Sequence, residues 1–279
     1  MVTILLHSSK TTRTPVSHGN VTGDTQIPAL YHEVAKLEEY LKTLSPNQIQ
    51  KAMTLSEAMA HKAHMLIKGW DDANPTLSAI DLFLGDIYSG LQAQAFTPQD
   101  RVYANNHLFI LSGLYGILRA LDEIQPYRLE MGYKLPGNAH DPSQPNITSI
   151  YEFWGDKIAK VLPKSEVIIN LSAVEYTKAV FPHFKNLEKF NNSTIITPKF
   201  LTISSKTGEP TFVTVHAKIA RGAFARWLIQ HRIEDLATLK DFNDIGYTYN
   251  AELSSPEQPV FVAQEFKGLG LSIRLSKTA

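Results

Sequence analysis

Two apolar runs held apart by Ser112-Gly113-Leu114-Tyr115-Gly116 constrain this chain more than any other feature. The first run, Leu108-Phe109-Ile110-Leu111, reads as an apolar helix that stops at Ser112-Gly113. The second starts at Gly116 and places Ile117, Leu118, Leu121 and Ile124 at helical spacing. Glycine weakens helices, so two of them between helices point to special backbone angles or to close approach of another backbone. The segment therefore predicts a helix-hairpin-helix-like turn. Free N–H groups at the start of its second helix, together with the helix dipole, suit a phosphate. Arg119 lies one turn into that helix. The plainer alternative is a glycine-capped turn between two helices with no ligand at all.

Composition narrows the function classes. The 279 residues suffice for one large domain or two ordinary ones. Lys plus Arg equals Asp plus Glu at 27 each, so any nucleic-acid site must be a local concentration of cations. The chain has no cysteine. That excludes disulfides, cysteine-ligated zinc or iron–sulfur centres and thiol peroxide chemistry. Val2-Thr3-Ile4-Leu5-Leu6 reads as a buried strand, lacking the basic start and length of a signal peptide. No run approaches the ~18 apolar residues of a membrane span, so a cytoplasmic location with no membrane partner is expected.

A polar loop from His7 to Gln26 follows the first strand. Leu30, Val34, Leu37 and Leu41 then share one helical face. Ser45-Pro46-Asn47-Gln48 and Thr97-Pro98-Gln99-Asp100 are capped helix starts with proline in the first turn. Gly137 to Asn146 reads as a surface loop within one domain spanning 1–279. Strands are expected at Glu166–Asn170, Pro259–Phe266 and Leu271–Leu275. A hairpin is expected from Thr194–Ile203 and Thr211–Val215 around Lys206-Thr207-Gly208-Glu209, with Pro198 at an edge or a bulge. Without a regular βαβ rhythm, this pattern predicts an α+β fold, a mixed sheet wrapped by helices.

The helix expected from about His216 to Arg232 carries the best local basic surface. Ile219, Ala223, Phe224, Trp227 and Leu228 form its buried stripe, with Lys218, Arg221 and Arg232 opposite and Arg226 flanking. Gly222 and Ala225 fall on that exposed face, where small residues would admit a ligand backbone. An ordinary solvated helix face has the same pattern. Lys10 sits in a polar loop at a strand end, a common place for an anion. Asp86 and Tyr88 read either as a helix cap or as a polar pair on a cleft floor. A base-processing enzyme needs such a carboxylate to orient water and an aromatic to stack a base. Asn170, at a strand end, is positioned to read a base edge. His61 and His64 are the only histidines at short helical spacing, and such pairs are common on exposed helices. Neither Gly-x-x-x-x-Gly-Lys nor Gly-x-Gly-x-x-Gly occurs, so no nucleotide cofactor is expected.

Several segments together carry a family resemblance. They include Phe83-Leu84-Gly85-Asp86-Ile87-Tyr88-Ser89-Gly90-Leu91, Leu111-Ser112-Gly113-Leu114-Tyr115-Gly116 and Gln125-Pro126-Tyr127-Arg128-Leu129-Glu130-Met131-Gly132. Phe153-Trp154-Gly155-Asp156, Ile169-Asn170-Leu171, Ala220-Arg221-Gly222 and Gly246-Tyr247 continue the series. In order and spacing they resemble the YaaA family of bacterial peroxide-stress-resistance proteins. The family usually reads Ser-Pro-Ala-Lys where this chain has His7-Ser8-Ser9-Lys10, and often carries lysine in place of Leu84. The resemblance implies survival of hydrogen peroxide, lower free iron, and DNA binding through a basic cleft with a helix-hairpin-helix element. On that expectation DNA phosphates meet the N–H groups near Gly113 and Gly116 and the side chains of Lys10, Arg119, Arg128, Lys218, Arg221 and Arg226. No metal or other cofactor is called for. The alternative is an enzyme acting on a nucleobase or nucleotide, with Asp86, Tyr88 and Asn170 in the pocket. A third reading is an iron-binding protein using His61 and His64.

Overall fold

The computed structural model describes residues 2–15, 26–71, 73–74, 76–137 and 146–270. The expected strand at 271–275, and much of the two polar loops, lie outside them. The strands are β1 (Val2–His7), β2 (Leu77–Ser78), β3 (Leu108–Ser112), β4 (Gly116–Arg119), β5 (Glu123–Ile124), β6 (Val167–Asn170), β7 (Thr194–Ile196), β8 (Lys199–Ile203), β9 (Pro210–Thr211), β10 (Tyr247–Tyr249) and β11 (Val260–Ala263). The α-helices are α1 (Tyr31–Thr43), α2 (Pro46–Met53), α3 (Glu57–Lys68), α4 (Ala79–Leu82), α5 (Asp86–Leu91), α6 (Pro98–His107), α7 (Ile150–Trp154), α8 (Lys157–Val161), α9 (Val174–Thr177), α10 (Phe181–Phe184) and α11 (Thr214–His231).

The main sheet has the order β4-β3-β1-β6-β7. Strand β1 is buried along its whole length, as a strand covered on both faces must be. It pairs in parallel with β3 on one side and β6 on the other, and only β4 runs antiparallel. The chain thus leaves β1 toward one side of the sheet and later returns to the other. Its carboxyl end is a topological switch point, where open sheets leave a crevice for ligands. A second sheet, β10-β11-β8-β9, is also mixed. One apolar cluster runs from Val2 to Ala263 and joins both sheets to the helices in a single compact α+β domain.

Both capped starts form as expected. The Ser45 hydroxyl accepts the Gln48 N–H, and the Gln48 side chain accepts the Ser45 N–H, opening α2. Thr97 and Asp100 do the same for α6.

The helix-hairpin-helix expectation at 108–124 is corrected. The segment is a β-hairpin, with Phe109 opposite Arg119 and Ser112 opposite Gly116. A short, fully buried apolar run has no period that separates strand from helix, and the sheet decided. Leu114 and Tyr115, at the turn, are buried, so its N–H groups offer no phosphate site. Both glycines are structural. Gly116 has φ +68°, and a β-carbon there would stand 3.0 Å from the Trp154 ring. A β-carbon on Gly113 would overlap the Leu129 carbonyl oxygen. The Trp154 indole N–H donates to the Gly113 carbonyl at 2.9 Å, locking the turn.

The hairpin expected from 194 to 215 is corrected in part. Pro198 falls between β7 and β8, which lie in different sheets. Only β8 and the two-residue β9 pair, around Lys206–Glu209.

Candidate functional site

A cavity of about 370 Å³ opens at the carboxyl end of β1. His7 to Thr11 form one wall, and Asp86 and Tyr88 of α5 another. Glu130, Glu175 with Tyr176 of α9, and Lys218 of α11 complete the lining.

The walls are fixed by packing. Helix α5 crosses α11 with almost no side chain between them. A β-carbon on Gly90 would overlap the Ile219 carbonyl, and one on Gly222 the Ile87 carbonyl. This corrects the expectation that Gly222 and Ala225 lie on an exposed face, since both are buried. Their small size admits α5 rather than a ligand. The crossing sets Asp86 and Tyr88 opposite Lys218 and Arg221.

The hairpin serves the same site from below. Ser112 accepts the Tyr115 N–H at 2.9 Å and shares a 2.6 Å hydrogen bond with the Tyr127 hydroxyl. The Ser8 hydroxyl in turn lies 3.3 Å from the Tyr176 hydroxyl, in hydrogen-bond contact. The close approach at Gly113 lets the Leu129–Glu130 backbone pass the turn and deliver Glu130 to the cavity.

His7 is the centre of the wall that the sequence did not single out. It is 8% exposed and stacks on Tyr176 with ring centroids 4.9 Å apart. The Tyr88 hydroxyl donates to the His7 carbonyl at 3.0 Å. Burial, and then the charges of Arg221 and Lys218, hold the imidazole down to about 3, so it is neutral at physiological pH. Lys10 stands 3.7 Å from Glu130, with its side chain 53% exposed. Burial raises Glu130 above the usual carboxylate range, against the pull of Lys10. Burial also raises Tyr88 and Tyr176, so both remain phenols.

The expected residues divide clearly by position. Lys10, Lys218, Asp86 and Tyr88 share the cavity, and Arg221 acts on His7 beside it. Among the described residues no carboxylate pairs with Lys218 or Arg221. Asn170 has a different task. Its Oδ1 accepts the Ser172 N–H at 3.0 Å and its Nδ2 donates to Thr197 at 3.3 Å, so it shapes the loop that holds His7. Arg226 is engaged by Asp244 at 2.6 Å. Arg128 lies near Glu130 but does not line the cavity, and its Nε is buried without a partner. Arg119 is exposed on β4, two residues back along the sheet from the level of His7. His61 is exposed on α3, and among the described residues no three His, Asp or Glu converge to hold a metal. His7, Glu130, Glu175 and Tyr176 were missed. Their only signal in the sequence was nearness to the strand end and to the family segments.

Residues 2–253 match the model of a family described as peroxide stress protein YaaA. The chain belongs to this family. A UPF0246 protein of Salinispora tropica is 53% identical over 97% of each chain. UPF0246 proteins of Ruegeria pomeroyi and a Marinomonas species are 37% and 38% identical, over 84% and 86% of this chain and 90% and 89% of their own lengths. No helix among the described residues of this YaaA-family chain is long and apolar enough to cross a membrane.

Proposed function

We propose that this peroxide stress protein binds DNA, largely without sequence preference, and so limits iron-driven oxidative damage to it. The observation that carries the reading is the convergence of Lys10, Lys218 and Arg221. They come from two distant stretches of chain, Lys10 and Lys218 lining one cavity with His7 and Arg221 acting on His7 from beside it, in a protein of zero net charge. Cations gathered in this way attract phosphate and position a strand without reading its bases. With the 113–116 turn buried and Arg226 held at 2.6 Å by Asp244, the reading rests on Lys218, Arg221 and Lys10, the last 53% exposed and only loosely paired with Glu130 at 3.7 Å.

The test is a salt titration of binding to two unrelated duplexes of equal length. Three neutralised phosphates give a slope of log affinity against log salt of about −3. Arg221→Ala reduces that slope by about one and weakens both duplexes alike. A flat salt response, or a strong preference for one duplex, overturns the reading.

One observation favours an enzyme acting on a nucleobase or nucleotide as a second reading. Glu130, with its raised pKa, shares the cavity with Asp86 and Tyr88. Two carboxyl groups in one cavity, one of them with its proton affinity raised by burial, are the equipment of acid–base catalysis.

A further inference from the structure

His7 presents one polar atom that the described protein leaves unused. Its Nδ1 accepts the Ala173 N–H at 3.2 Å, with the Ser172 hydroxyl at 3.4 Å. A neutral imidazole that accepts at Nδ1 carries its proton on Nε2. Among the described residues the hydrogen bonds of the His7 ring are all at Nδ1, and none is made by that Nε2–H. Stacking on Tyr176 and the loop through Ser172 hold the ring in place at the cavity wall. His7 is 8% exposed and lines the cavity, and its Nε2 is not among the fully buried unpartnered atoms, so this N–H is open to the cavity and a ligand there can supply the acceptor.

The rest of the cavity specifies what that ligand must be. Lys10 and Lys218 call for an anionic end. Asp86, Glu130 and Glu175 in the same walls repel a bare anion and call for hydrogen-bond donors at its other end. The volume of about 370 Å³ lies near the lower end of small-molecule sites and is too small for a duplex.

We propose that this cavity receives a single nucleotide unit, its phosphate on Lys10 and Lys218 and an acceptor oxygen on the Nε2–H of His7. The unit is either a free mononucleotide or one nucleotide extruded from a strand, and the two share the same chemistry. Hydroxyls or exocyclic amines of the nucleotide face the carboxylates. The choice of a nucleotide over other phosphorylated molecules rests on the DNA-binding reading above.

The experiment uses the full chain, a ¹⁵N–¹H spectrum of the histidine rings, and binding isotherms. The ligands are inorganic phosphate, ribose 5-phosphate, deoxyadenosine monophosphate, a twelve-nucleotide single strand and a blunt duplex. His7→Leu removes the donor, and His7→Gln keeps an N–H near the same place. The mononucleotide is expected to shift the His7 Nε2–H resonance and to bind at least tenfold more weakly to His7→Leu, while His7→Gln stays within about threefold of the parent. Competition of the single strand with the mononucleotide assigns the site to a strand nucleotide, and its absence assigns it to the free one. Saturation by the mononucleotide without a change at His7, or ribose 5-phosphate binding as tightly as the mononucleotide, overturns the proposal. Failure of the DNA reading shows separately, as a duplex that does not bind or binds without salt dependence.

Discussion

Gly222 on α11 packs directly on the Ile87 carbonyl of α5, with no room for a methyl group between them. That contact sets the spacing between Asp86 and Tyr88 on one helix and Lys218 and Arg221 on the other. Gly222→Ala forces the helices apart or distorts both backbones. The expected cost is about 3 kcal/mol or more, at the upper end of overpacking effects. Urea unfolding measures it, and a variant of parental stability would show that the crossing is looser than described.

His7 ties stability to acid. Its imidazole is held down to about 3 in the fold and returns to about 6.5 in the unfolded chain. The unfolded chain therefore binds the extra proton first. Stability is complete above about pH 6.5 and is lost progressively as pH falls toward 3. By pH 5 the loss from this group is about 2 kcal/mol. His7→Gln flattens that part of the profile. Equal pH dependence in parent and variant would refute the assignment.

Asp122 works in the opposite direction. Burial pushes its carboxyl up to about 6, although it accepts the Arg119 N–H at 2.8 Å. The folded state holds this proton more tightly than the unfolded one. The advantage is present below about pH 4 and is lost as pH rises through 6. Asp122→Asn keeps the oxygen that accepts from Arg119 and removes the charge. It should be more stable than the parent by about 2 kcal/mol at pH 8, with the difference closing near pH 4. Thermal unfolding at the two pH values decides it.

Arg226 separates structural from binding cations. Its side chain is 13% exposed and paired with Asp244, and its Nη1 is buried without a partner. Arg226→Met should cost about 2 kcal/mol of stability through the lost charged hydrogen bond. The salt slope of DNA binding should stay unchanged, in contrast to Arg221→Ala. A reduced slope would return Arg226 to the phosphate contacts.

Much of the architecture was legible in the chain because it is local. The capping boxes at Ser45 and Thr97 need only neighbours three residues away. The buried strand at Val2 and the long basic helix carry their own hydrophobic patterns. Lys10, at the end of that strand, was recognisable as an anion candidate from its loop alone.

Other features are decided by partners distant in sequence. Leu108–Leu111 became a strand because β1 was there to pair with it, and its uniformly apolar run contained nothing to distinguish the two outcomes. Gly222 is small because Ile87 needs the space, not because a ligand does. His7 read as an ordinary loop residue until Ala173, Tyr176, Lys218 and Arg221 closed around it. The sequence by itself determined the capped helices, the first strand and the family. Tertiary structure decided which cations are free and which carboxylates are buried, because desolvation and ion pairing depend on neighbours that only the folded chain brings together.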